Sequence, residues 1–344
     1  MRLRSIALVS GLLALAPTAC ASDEQSAADT TTATTPTAAD TAGETAAPGE
    51  TIAPDDTGTI TSPAETKPET TFSETVDTSP LGGARPAPVT LPSAYDAATA
   101  WPLVILLHGY SANGVIQDAY LQFSSTAAEV GYIAVVPEGT SGANNAQFWN
   151  ADPAWCCNFG RSNVDDKAYL NGLIHEASTR YHVDPRRVYF VGHSNGGFMA
   201  YRMACDFADR VAAVVSIAGS LPLAAADCGP SEPVSVLQIH GTLDTTIPYA
   251  GVSGQYPGAK ETTQRWATYD ACPGTPTAGT EARDYDGASL GDETHSDTRA
   301  PCPRGTEVTL WTMTGSTHIP AFRAPFTADV FAWLTAHPKV PPAP

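Results

Sequence analysis

From Leu81 onward, short runs of Val, Ile and Leu alternate with segments of helical periodicity, and this alternation constrains the fold more than any other feature of the chain. Strands buried on both faces read as near-continuous apolar runs, and helices between them supply the crossovers that parallel strands need. The strand candidates are "APVTL", "PLVILLH", "YIAVVP", "RVYFVG", "AAVVSIA", "VSVLQIH" and "EVTLWTM". Helix candidates span Gln117–Val130, Asp165–Tyr181, Gly196–Cys205, Gly258–Asp270 and Phe326–His337. An α/β fold is predicted for residues 81–344, with a mostly parallel central sheet and helices on both faces.

The first 80 residues carry no such pattern. "MRLR" followed by "SIALVSGLLALAP" has the basic start and short apolar run of a secretory signal over residues 1–21, too short to span a bilayer. Within "APTAC", Cys20 stands where a lipoprotein signal carries its lipidated cysteine; the alternative is ordinary cleavage at "ACA", which discards Cys20. Either reading sends the chain out of the cytoplasm, to the cell surface or the medium, with Cys20 as its one link to a membrane. Residues 22–80 are Thr, Ala, Pro, Asp and Glu with almost no large apolar side chain, so they are predicted to be a disordered tether. A net charge of -18, with no cluster of Lys and Arg, excludes a nucleic-acid partner.

Of the seven cysteines, setting Cys20 aside leaves Cys156, Cys157, Cys205, Cys228, Cys272 and Cys302, which suggests three bridges in an exported chain. Cys156 and Cys157 are adjacent, and joining them to separate partners is less strained than a vicinal bridge. Cys272 closes one helix candidate and Cys302 precedes "EVTLWTM"; the polar stretch between them has little to fix it by packing. A Cys272–Cys302 disulfide is therefore predicted.

"VYFVGHSNGGFMAY" places Ser194 between two glycines, after a strand and before a helix. That context fits a nucleophile elbow, in which a tight turn lifts the hydroxyl above the sheet. "GASLG" matches the same short pattern at Ser289 but follows the charged "TEARDYD" and leads into no helix, so Ser289 reads as a polar loop residue. A serine hydroxyl needs a histidine base and a carboxylate to orient it. Asp244 in "VLQIHGTLDTTIPY" and His318 in "VTLWTMTGSTHIPAF" follow strands in the required chain order. The oxyanion donors are predicted to be the backbone amides of Asn195 and of Tyr110 in "LLHGY", with no role for the Asn195 side chain. His108, His175, His182, His193, His240, His295 and His337 are read as structural or solvated.

"LLHGY", "QFWNADPAWCCNFGRSNVDD", "DPRRVYFVGHSNGGFMAYRMAC", "IHGTLDTTIPY", "WATYDAC" and "GSTHIPAF" together resemble the poly(3-hydroxybutyrate) depolymerase-like esterases, a family that includes feruloyl and acetylxylan esterases. The resemblance runs from about Gly83 to His337. It implies an α/β-hydrolase fold without a large lid domain, a Ser194–Asp244–His318 triad and no cofactor. The family often has His-x-Trp-Pro at the histidine, whereas Ile319 and Pro320 follow His318 here. The aromatic wall near the acyl site is thus either missing or supplied by Trp149. Asp165 and Asp166 read as a helix N-terminus and not as a metal site. The expected activity is ester hydrolysis by a monomer on small or oligomeric esters. A peptidase on this fold usually carries a second domain, and a non-catalytic binding module has no need of all three triad residues.

Overall fold

The structure, a computed structural model, describes residues 76–142, 145–151, 157–158 and 161–341. The leader, Cys20, the tether up to Thr75 and Cys156 lie outside these residues. In chain order the first elements are β1 (Val89–Thr90), β2 (Trp101–Leu107), α1 (Gly114–Leu121), α2 (Phe123–Val130), β3 (Ile133–Val135), β4 (Thr140–Ser141), β5 (Gln147–Phe148), α3 (Asp166–Arg180) and β6 (Val183–His193). After them come α4 (Asn195–Asp206), β7 (Ala213–Ile217), β8 (Ser235–Gly241), β9 (Gly251–Val252), β10 (Tyr256–Pro257), α5 (Ala259–Tyr269), β11 (Thr277–Ala278), β12 (Thr294–Arg299), β13 (Val308–Met313) and α6 (Pro325–Ala336).

The apolar runs form the centre of a nine-stranded sheet ordered β1-β3-β2-β6-β7-β8-β13-β12-β11. β3, β2, β6, β7, β8 and β13 run parallel, while β1, β12 and β11 pair antiparallel at the edges. Successive side chains point to opposite faces of a strand. Leu103, Ile105 and Leu107 accordingly pack on one face with Leu170, Met199 and Trp266 from α3, α4 and α5. Val104 and Leu106 pack on the other with Leu121, Phe123 and Phe331 from α1, α2 and α6. From β2 the chain goes to β3 on one side, and β6 lies on the other, so the strand order reverses between β2 and β6. In open α/β sheets a ligand crevice forms outside the carboxyl ends of the strands at such a reversal.

Two expectations change. The single helix predicted over Gln117–Val130 is two, because Gln122 takes a left-handed φ of 50° and Asp118 Oδ1 accepts the Ser124 amide at 2.7 Å. The segment "THSDTR", in a polar stretch with no predicted strand, is β12. Near the start of the described residues, the Tyr181 hydroxyl donates to Asp77 O at 2.7 Å and Arg180 to Ser79 O at 2.5 Å.

Disulfides join Cys205 to Cys228 and Cys272 to Cys302. Cys157 is also disulfide-bonded, and the separate bridges expected for the adjacent pair involve Cys156, which lies outside the described residues. The Cys272–Cys302 link spans 30 residues and ties the end of α5 to the approach of β13. Closing a loop of that size removes unfolded-state entropy worth roughly 3–4 kcal/mol.

Beside this bridge, Asp270 is buried and accepts the Val234 amide at 3.2 Å. Burial pushes its carboxyl up to about 7. The folded state therefore holds a proton that the unfolded chain releases near an ordinary carboxylate pKa of about 4. The stability this proton contributes is complete below that pH and is lost as pH rises through 7. Asp270→Asn is expected to raise Tm relative to the wild type at pH 8, with the gap closing by pH 4.5. Equal gaps at both pH values, by thermal melts, would contradict this.

Candidate active site

Ser194 follows β6 directly and caps α4 with φ 55° and ψ -121°, a conformation that side-chain sterics disfavour and the surroundings must impose. Its amide donates to Ile217 O at 2.7 Å, and its carbonyl accepts Gly197 N–H and Phe198 N–H at 2.8 and 3.1 Å. The flanking glycines are there for close approach. A Cβ on Gly192 would lie 2.1 Å from Gly196 O, and one on Gly196 would lie 2.2 Å from Leu107 O. The turn is thus packed tightly against β2, and Ser194 keeps 7% exposure at the carboxyl end of the sheet.

Two further strand ends bring the predicted partners. Asp244 lies after β8 and His318 after β13, and these loops are locked together. Leu243 N–H donates to Ser316 O at 2.9 Å, and Gly315 N–H to Thr242 Oγ1 at 2.9 Å. His318 Nε2 is 2.9 Å from Ser194 Oγ, and His318 Nδ1 is 2.7 Å from Asp244 Oδ2. Asp244 Oδ1 accepts the amides of Thr246 and Ile247, both at 2.8 Å. Although burial opposes ionisation, the His240 and His318 rings together with the Ile247 amide hold this carboxyl well below the usual carboxylate range. A carboxylate oxygen accepting at Nδ1 leaves Nε2 free to accept a proton, so the arrangement can take the Ser194 hydroxyl proton as the oxygen attacks.

Two of the histidines read as structural or solvated, His240 and His193, support the site, and nothing in the sequence shows which groups they hold. His240 Nε2 lies 2.7 Å from Ile247 O and 3.4 Å from Asp244 Oδ2, while Gln238 Nε2 is 3.2 Å from His240 Nδ1. Gln238 in turn accepts from the Tyr201 hydroxyl at 2.9 Å, so a buried polar chain runs from α4 to the Asp244 loop. His193 Nε2 lies 2.9 Å from His318 O. Burial, reinforced by the neighbouring His318, pushes His193 down to about 4, so it is a neutral ring that holds the His318 backbone. The only sequence signal was their position at strand ends next to Ser194 and Asp244.

Gly109 and Tyr110 pass beside the nucleophile, where a Cβ on Gly109 would lie 3.4 Å from that of Ser194. Trp149 departs from expectation. It is fully buried and lines no substrate wall, because its ring packs 5.1 Å from that of His108 and its indole Nε1–H donates to His108 O at 3.0 Å. The Asn195 side chain is equally engaged, accepting from Trp149 N at 2.7 Å and donating to Trp149 O at 3.0 Å. Asp165 caps α3 through the Ala168 amide at 2.9 Å, and Asp166 accepts from Arg85 at 2.6 Å and from the Asn150 amide at 2.7 Å.

The Esterase family model matches residues 78–284, more than half of the chain. The chain belongs to this family. Feruloyl esterase B of Piromyces equi is 29% identical over 244 residues, covering 67% of this chain and 42% of its own length. Feruloyl esterase D of Neurospora crassa is 25% identical over 261 residues, covering 75% of this chain and 82% of its own. This chain thus spans less than half of the first relative and most of the second. Among solved structures, an acetyl xylan esterase from Aspergillus awamori superposes with a TM-score of 0.51 at 14% identity, over 76% of this chain and 98% of that one. That likeness shows the α/β-hydrolase fold, and the family agrees with the feruloyl and acetylxylan esterase resemblance of the motifs.

Proposed function

We propose that this family member is an exported serine hydrolase of carboxylic esters that works through an acyl-enzyme. The observation that carries the reading is the unbroken hydrogen-bond chain from Asp244 through His318 to Ser194, at 2.7 and 2.9 Å, assembled from three strand ends. Ser194 Oγ bonds to the ester carbonyl carbon while its proton passes to His318 Nε2. The oxyanion is met by the amides of Asn195 and Tyr110. Collapse breaks the bond to the alcohol, which leaves with the proton from His318. Water then repeats the sequence and releases the acid.

The substrate class is small or oligomeric esters of feruloyl, acetyl or hydroxyalkanoate type. Tyr110, Leu243 and Ile319, exposed by 39%, 60% and 64%, support an apolar rim around the nucleophile. Export is supported by the leader, with Cys20 as its anchor, and by two disulfides of a kind that persist in oxidising compartments. Turnover in hydroxylamine tests the intermediate. Esters that share an acyl group but differ in alcohol are expected to give one common ratio of hydroxamate to acid, since all pass through the same acyl-enzyme. A ratio that follows the leaving alcohol would overturn the mechanism.

A further inference from the structure

Trp149 spans the two segments that supply the oxyanion donors, and we propose that it is the strut that sets their separation, a positioning residue for transition-state binding. The inference rests on the reading of Ser194 as nucleophile with Asn195 and Tyr110 as donors. At one end the Trp149 backbone takes both hydrogen bonds of the Asn195 carboxamide, at 2.7 and 3.0 Å. At the other its indole Nε1–H holds His108 O at 3.0 Å. Trp149, His108 and Asn195 are all 0% exposed, so these bonds are shielded from water and directional.

From His108 the constraint reaches Tyr110 through one peptide plane. The Gly139 amide donates to His108 Nε2 at 2.8 Å, which leaves Nδ1 as the protonated nitrogen, and Nδ1 donates to Gly109 O at 2.8 Å. The Gly109 carbonyl and the Tyr110 N–H belong to the same planar unit and point in opposite directions. Aiming that carbonyl at the buried imidazole therefore aims the amide the other way. Gly109 N–H to Gln117 Oε1 at 3.3 Å and Ser111 N–H to Gln147 O at 2.8 Å hold the neighbouring peptides. The second donor, the Asn195 amide, belongs to the residue whose side chain Trp149 grips. One buried indole thus links the amide after the nucleophile to the amide after Gly109.

The test uses Trp149→Phe, which removes the indole N–H but keeps both backbone bonds to Asn195, and Asn195→Ala, which cuts the opposite end and keeps the backbone amide. Misplacing a donor by about 1 Å costs up to roughly 100-fold, so each variant is expected to lower kcat by about 10- to 100-fold with KM changed by less than about threefold. A strut cut at either end is already cut, so the double variant is expected to lose little more than the worse single. Sulfur is a larger and weaker hydrogen-bond acceptor than oxygen, so the ratio of kcat/KM for an ester over its thionoester is expected to narrow in both variants. Should Trp149→Phe fold poorly, Asn195→Ala alone is read by the same ratio. Multiplicative losses in the double variant, or an unchanged ester-to-thionoester ratio, overturn the strut. Wild-type protein whose Ser194 takes no fluorophosphonate label overturns the reading beneath it as well, and a labelled Ser194 with an unchanged ratio overturns the strut alone.

Discussion

Ser194→Ala is expected to lower kcat by about 10⁴- to 10⁶-fold, because nucleophile, base and carboxylate act as a unit and the remainder rests on oxyanion contacts and binding. The control is the second match to the same short pattern. Ser289 lies in a loop with its hydroxyl 3.3 Å from Asp286 Oδ2 and 3.5 Å from Ser316 Oγ, and its alanine variant is expected to stay within about twofold of wild type. Steady-state kinetics on a p-nitrophenyl ester separates the two. Equal losses from both variants would remove the basis for choosing Ser194.

Asp244→Asn is expected to cost about 10³- to 10⁴-fold in kcat while leaving Tm close to wild type. An asparagine fits the site, and its oxygen can keep the amides of Thr246 and Ile247 that Asp244 Oδ1 accepts at 2.8 Å. Its amide nitrogen then faces His318 Nδ1 as a donor, which forces the proton to Nε2 and leaves nothing to accept from Ser194. The wild-type carboxyl is held well below the usual range, so it stays ionised through the neutral and mildly acidic range. Loss of activity on mild acidification in the wild type therefore does not report Asp244. A small kcat effect with unchanged Tm would show that His318 is oriented by something other than Asp244.

The parallel core was legible because its strands are buried on both faces and contain little but Val, Ile and Leu, as in "PLVILL", where Pro102 to Leu107 are all buried. The helices over Asp165–Tyr181, Gly196–Cys205, Gly258–Asp270 and Phe326–His337 appeared within one residue or so of their predicted ends. β12 was missed because a strand between β13 and the two-residue β11, next to the edge of the sheet, needs no apolar run, and "THSDTR" is polar and mostly half-exposed. The break at Gln122 left no sign because neither Gly nor Pro marks it. Ser194, Asp244 and His318 could be read from local context, each following its own strand. Trp149, His240 and His193 could not, because what they do depends on hydrogen bonds to His108 O, Ile247 O and His318 O, and no side-chain pattern encodes a backbone carbonyl. A tryptophan near the acyl site reads as a substrate wall until the partner of its N–H is known.

Labelling with a fluorophosphonate tests the nucleophile most directly. The reagent phosphonylates a serine whose proton can be withdrawn, and peptide mapping then locates the adduct. The expected result is one equivalent of label on the peptide carrying Ser194, suppressed by a competing short acyl ester and abolished in Ser194→Ala. Label on any other residue, or full ester turnover by protein that takes no label, would contradict the assignment of Ser194.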